Sequence, residues 1–251
     1  MQAPKEALLF IIAVPWPDLS STAKNSGLRL LASHPDTNRA WPGGFGYAKL
    51  GANYGPSLAA HSAAAAQGFD QVLWLFGEDR AVTGAGASNF FVVWENKQGK
   101  LELVTAALEN QLILPGVTRR SVLELARERL SSSAAGSGSG NGLAPVEIVE
   151  RTFTIAEIED AWRKGRLVEA FVSGTAVRSF PPSTHGYIGL LTVQYFIAPV
   201  KTIRNGDVDM DMLEAGAHRA GYAAQIRAWL GAIMYGQEEH EWGYVIENKG
   251  E

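Results

Sequence analysis

Apolar residues along this chain fall into short, nearly continuous runs set between turn-forming residues. Seven runs read as strands: Leu8–Val14, Gln71–Leu75, Phe90–Trp94, Leu101–Thr105, Val146–Thr152, Glu169–Ser173 and Tyr195–Val200. They are rich in β-branched and aromatic residues, which suit a pleated, buried surface. Four other stretches carry a helical pattern: Ser57–Gln67, Thr118–Leu130, Ile155–Lys164 and Leu213–Tyr235. In Thr118–Leu130 the apolar positions Val122, Leu123, Leu125, Ala126 and Leu130 recur at the spacing of one helix face. Strands outnumber helices and do not alternate with them, which argues for a mixed α+β or α/β architecture and against a simple βαβ repeat. The longest apolar run, Leu8–Val14 with Ala7 before it, is too short to span a membrane. Only Lys5 precedes it and no small-residue cleavage site follows, so it reads as a buried strand and not as a leader.

Composition narrows the function classes. At 251 residues with 46% hydrophobic content, the chain can bury a sizeable core. A net charge of −4 and no Lys/Arg cluster leave no basic footprint for nucleic acid. Cysteine is absent, which removes disulfides, thiolate metal sites and thiol redox chemistry. His34, His61, His185, His218 and His240 lack ligand spacing, so no metal site is expected. Trp41, Trp74 and Trp94 read as core anchors.

The chemistry-bearing stretch is Asn38 to Pro56, where Lys49 lies among glycines and aromatics, with Arg39 upstream and Tyr54 downstream. Such neighbours predict a dehydrated amine held in its nucleophilic form, as condensation with a carbonyl cofactor requires. A second feature is Leu114-Pro115-Gly116, which ends an extended run just before the helical pattern. The first turn of that helix offers free N–H groups and a positive dipole end, an anion site that Val117 and Thr118 would form. Gly174-Thr175 follows another strand and supplies a second turn with a hydroxyl.

The stretch from Arg39 to Tyr54 meets every fixed position of the pattern R-A-x-x-G-G-x-G-x-x-K-x-G-x-N-Y. In this it resembles the branched-chain-amino-acid aminotransferases, which are class IV pyridoxal-phosphate enzymes. Three further blocks follow in that family's order: Gln71–Leu75, Ile113–Arg119 and Ser173–Ala176. The resemblance implies the family's large domain, a mixed-strand pseudo-barrel flanked by helices, spanning residues 1–251. It implies that Lys49 carries pyridoxal 5'-phosphate and moves the substrate's α-proton as base and then acid. It also implies that Arg39, Val117, Thr118 and Thr175 hold the phosphate, and that Tyr54 bonds the cofactor's phenolic oxygen. The Thr175–Ala176 backbone would receive the substrate carboxylate. The implied activity is transamination of leucine, isoleucine or valine with 2-oxoglutarate by a homodimer in cytoplasm or mitochondrion. D-amino-acid aminotransferases and aminodeoxychorismate lyases share the class, but Gly-Gly-x-Gly-x-x-Lys follows the branched-chain subgroup.

Three departures bear on activity. Where the family reads T-E-x-G-x-x-N, its glutamate pairing with the pyridine nitrogen, this chain reads Thr83-Gly84-Ala85-Gly86-Ala87-Ser88-Asn89. Loss of that bond costs on the order of 2–4 kcal/mol, roughly 30- to 1,000-fold in rate. Glu78 and Asp79 are the carboxylates nearby in sequence. The small domain that precedes this region in the family is expected to be missing. Finally, residues 131–142 are a Gly/Ser linker by composition, and Val177–Gln194 intervenes where the family passes directly into a strand. Val codons begin GT and Gln can be CAG, so Val177–Gln194 reads as a translated intron, with a specificity loop as the alternative. Together these features support a second reading: a paralogue that folds and binds the cofactor without turnover.

Overall fold

A computed structural model describes residues 5–6, 8–11, 27–131, 142–175, 197–212 and 221–243. Their strands are β1 (Leu28–Ala32), β2 (Gln71–Phe76), β3 (Ala81–Ala85), β4 (Asn89–Glu95), β5 (Leu101–Thr105), β6 (Glu147–Glu150), β7 (Leu167–Ser173), β8 (Ile197–Asn205) and β9 (Val208–Asp211). The α-helices are α1 (Gly55–Ala66), α2 (Val117–Arg129), α3 (Ile155–Arg163) and α4 (Tyr222–Met234). The strands form one mixed sheet in the order β3-β2-β1-β8-β7-β4-β5-β6, with β9 paired to β8.

Strand β8 is the hinge of this sheet. Its first residues pair antiparallel with β7, Ile197 opposite Ser173, and its later residues pair parallel with β1. One long strand therefore joins the two halves, and the sheet curls around a core.

Residue alternation on the strands decides which side each helix takes. Phe90, Val92 and Trp94 of β4, with Val172 of β7 and Leu73 and Leu75 of β2, point to the inner core, where Ile155 and Ile158 of α3 join them. Phe91 and Val93 of β4, with Phe171 of β7, point outward under Val122 and Ala126 of α2 and Ile226 of α4. The Phe91 and Phe171 rings stack with centroids 4.9 Å apart. On the other half, Val72 and Trp74 pack beneath Ala64 of α1. Because β4 is covered on both faces, its sequence is an unbroken apolar run. A capping box starts α3: Thr154 Oγ1 accepts from the Glu157 N–H, and the Thr154 N–H donates to Glu157 Oε2.

Several expectations are revised. Leu8–Ile11 is not in a strand and is exposed, between 70% and 89%, because none of the described strands lies beside it. Trp74 and Trp94 are buried anchors, but Trp41 is 53% exposed on a loop that projects from the sheet. The short strands β1, β3 and β9 have weak propensity of their own and exist through their pairings. The segment 177–194, residues 132–141 of the Gly/Ser linker and the 213–220 part of the last helical pattern lie outside the described residues.

Candidate active site

One end of the sheet gathers the termini of β3, β4 and β7, the start of α2 and the loop from Arg39 to Tyr54. A cleft opens there, lined by Arg39, Tyr54, Gly84, Gly86, Ala87, Ser88, Asn89, Ile113 and Leu114. Residues 45 positions apart in sequence, Arg39 and Gly84, thus face one space.

The Arg39–Tyr54 loop is folded by its own turns. Gly44 N–H donates to the Trp41 carbonyl and Ala48 N–H to the Phe45 carbonyl, both at 2.9 Å. Asn53 Nδ2 closes the loop by donating to the Phe45 and Ala48 carbonyls at 2.7 and 2.8 Å. Gly46 lets the loop dock: a Cβ there would lie 2.6 Å from Ala40 Cβ and 2.7 and 2.8 Å from the Gln111 and Leu112 carbonyl oxygens. Gly46→Ala is therefore expected to lower stability by about 1–3 kcal/mol, read as a fall in the urea midpoint. An unchanged midpoint would show that the loop and the 111–112 segment can separate freely.

Across this contact Arg39 Nη2 donates to the Leu112 carbonyl at 3.1 Å. Among the described residues Arg39 has no carboxylate partner, and burial lowers its pKa against an opposing contribution from Tyr54. A half-buried cation facing a cleft without a counterion is suited to a bound anion. Lys49 stands at the rim, with its Nζ 5.6 Å from the centre of the Tyr54 ring. The sequence predicts a dehydrated lysine; here Lys49 is exposed. The aromatics meant to cover it, Trp41, Phe45 and Tyr47, are themselves 53%, 57% and 44% exposed.

The start of α2 is held over the strand ends by Asn89, whose Nδ2 donates to the Leu114 carbonyl at 3.1 Å. Its Oδ1 occupies the place that a Cβ on Gly116 would need. Gly116 is the helix N-cap and no side chain caps it, so the first N–H groups of α2 carry no capping side-chain acceptor. Thr118 in that first turn is buried, whereas Val117 is 81% exposed and would contribute only its backbone. Ser173 pairs with Asn89 across the sheet, and its buried Oγ has no hydrogen-bond partner among the described residues. A Cβ on Gly174 would come within 3.1 Å of Ser88 Oγ, so the turn at the end of β7 packs directly on the cleft wall. Thr175 is the exposed last residue before the undescribed stretch; Ala176 lies outside the described residues.

Thus Arg39, Tyr54 and Gly84 share the cleft, Lys49 joins it through Tyr54, and Thr118 and Thr175 belong to the adjoining helix start and strand end. Ser88 and Asn89 are wall residues that the sequence reading does not single out; the small-residue run Gly84–Asn89 is their signal in the sequence. Glu78 and Asp79 are exposed in the hairpin turn before β3, at its opposite end from Gly84. They are too far along the hairpin to serve the cleft.

A curled mixed sheet with a lysine, an arginine and an uncapped helix start at one edge defines a class. Residues 2–181 match the family model for amino-transferase class IV, and the chain belongs to that family. Two curated relatives share this sequence over nearly its whole extent. The mitochondrial branched-chain-amino-acid aminotransferase of Schizosaccharomyces pombe is 36% identical over 92% of this chain and 47% of its own length. The cytosolic one of Saccharomyces cerevisiae is 37% identical over 98% of this chain and 58% of its own. The chain therefore spans about half the length of these relatives. Among solved structures, the branched-chain amino acid aminotransferases of Thermobaculum terrenum and Escherichia coli share the fold, each with a TM-score of 0.59. They are 24% and 22% identical, over 89% and 90% of this chain and 57% and 58% of theirs.

Proposed function

We propose that this chain is the cofactor-holding region of a branched-chain transaminase, and that it binds pyridoxal 5'-phosphate at the cleft between Arg39 and Gly84. The observation that carries this reading is the half-buried Arg39, without a carboxylate partner among the described residues, in the same cleft as Tyr54, with Lys49 at its rim. The residues present fit the phosphate and hydroxyl ends of such a cofactor. Arg39, the N–H groups of Val117 and Thr118 and the Thr175 hydroxyl would take the phosphate. The Ser173 hydroxyl, buried and unpartnered, lies at the same strand ends. Tyr54 would donate to the ring oxygen, and Lys49 Nζ would anchor the aldehyde carbon. Bound, the cofactor supplies an electron-withdrawing ring that stabilises the charge left when the substrate loses its α-proton. Lys49, released from that anchorage, would take the proton and return it one position away. Thr175 and Ala176 would orient the substrate carboxylate through their backbone. Family likeness further supports a homodimer, with leucine, isoleucine or valine and 2-oxo acids as substrates.

Titrating the chain with pyridoxal phosphate and then adding leucine tests this. Binding should appear as a shifted visible absorption band, which leucine should bleach and 2-oxoglutarate restore. No spectral change on adding the cofactor would refute the reading. Gly84 favours a second outcome, in which the band forms but leucine leaves it unchanged; the chain would then be a binding paralogue without turnover.

A further inference from the structure

The Gly84–Asn89 turn shapes the cleft in a way that a missing carboxylate alone does not describe. A Cβ on Gly84 would lie 2.9 Å from the backbone carbonyl oxygen of Ser88. That carbonyl cannot swing aside cheaply. It accepts from the Ala85 N–H at 3.0 Å, while the Ser88 N–H donates back to the Ala85 carbonyl at 2.9 Å. Gly86, at a positive φ of 56°, is tied at both ends: its N–H donates to the Val72 carbonyl at 2.8 Å, and its carbonyl accepts from Trp74 Nε1 at 2.9 Å. Thr83 Oγ1 adds a bond to the Trp74 carbonyl at 3.0 Å. The turn is pinned to β2 from both sides, with the Ser88 oxygen held against position 84.

The cleft's charge points the same way. Among its lining residues Arg39 is the only charged one, and none is acidic. A ring nitrogen inside this cleft meets no carboxylate among the lining residues, so nothing there pairs with a proton on it as a carboxylate would.

We propose that the pinned 84–88 turn makes this a neutral-ring site, one that accepts an aromatic nitrogen heterocycle phosphate with its ring nitrogen unprotonated and cannot be converted to a pyridinium site by a side chain at position 84. The proposal rests on the pyridoxal-phosphate reading above. Its consequence is chemical: an uncharged ring is a weaker electron sink, so proton removal from a bound amino acid slows while cofactor affinity persists.

Two measurements test it. First, Gly84→Ala and Gly84→Glu are compared with the unaltered chain by thermal unfolding without cofactor; both should melt several degrees lower, because the new Cβ must displace the Ser88 carbonyl. Melting at the unaltered temperature overturns the pinned turn. Second, equilibrium dialysis compares pyridoxal phosphate with its 1-deaza analogue, which has carbon at the ring nitrogen, and with its N-methyl analogue, which is permanently charged. The unaltered chain should bind the first two within about threefold and the third at least about tenfold more weakly, a penalty of about 1.4 kcal/mol. Preference for the N-methyl form, or tighter pyridoxal phosphate binding by Gly84→Glu, overturns the proposal and leaves the cofactor reading intact. No binding of any of the three overturns both.

Discussion

Reduction with borohydride in the presence of pyridoxal phosphate should place a phosphopyridoxyl group on Lys49 alone, and Lys49→Ala should reduce labelling to background. The exposure of Lys49 makes this a demanding result. By accessibility it has no advantage over Lys97 or Lys100, which are also exposed. Selectivity must come from the cleft: a phosphate held by Arg39 and the start of α2 would present the aldehyde to Lys49 at high effective concentration. Arg39→Ala should therefore weaken binding by roughly 10- to 100-fold, the loss of one charge-assisted contact of about 1.5–3 kcal/mol, while leaving Lys49 in place. Peptide mapping of the labelled chain decides the matter. Equal labelling of several lysines, or unchanged selectivity in Arg39→Ala, would show that the cleft does not hold the phosphate.

The second large effect concerns pH and lies away from the cleft. Glu169 of β7 reaches the start of α4, where its two carboxyl oxygens accept from the Tyr222 and Ala223 N–H groups at 3.0 and 3.2 Å. Burial pushes its pKa up to about 7, and these two bonds only partly oppose the rise. A carboxyl whose pKa is higher when folded binds more protons in the folded chain than in the unfolded one between the two values. Stability should then fall as pH rises from about 4.5 to about 7 and level off above, by at most about 3 kcal/mol. Urea midpoints from pH 5 to 8 for the unaltered chain and Glu169→Gln measure this. Their difference isolates the contribution of Glu169. Parallel profiles would show that the helix N–H groups offset burial completely, so that Glu169 stays ionised.

Much of the architecture was legible in the pattern of apolar residues. The runs at Gln71–Leu75, Phe90–Trp94, Leu101–Thr105 and Glu169–Ser173 became β2, β4, β5 and β7 within a residue or two at each end. They are buried central strands, whose continuous hydrophobicity is a strong local signal. The helices α1, α2 and α3 were equally readable from spacing. Strand β3 was not, because Ala-Val-Thr-Gly-Ala carries little preference of its own and is a strand only through its hairpin with β2. Leu8–Ile11 misled in the opposite direction: an apolar run signals burial, but only a neighbouring strand can supply it.

The family, the lysine loop and the absence of an acid at position 84 were all determined by the sequence itself, because they depend on residue identity and order along one chain. Only the tertiary structure decided that Arg39, Tyr54 and Gly84 face one space, that Lys49 stands exposed at its rim, and that the Ser88 carbonyl closes position 84 to a side chain. Those facts depend on distances between segments that are remote in sequence or folded back by hydrogen bonds. Local propensity carries no information about such distances; the packing of the curled sheet sets them.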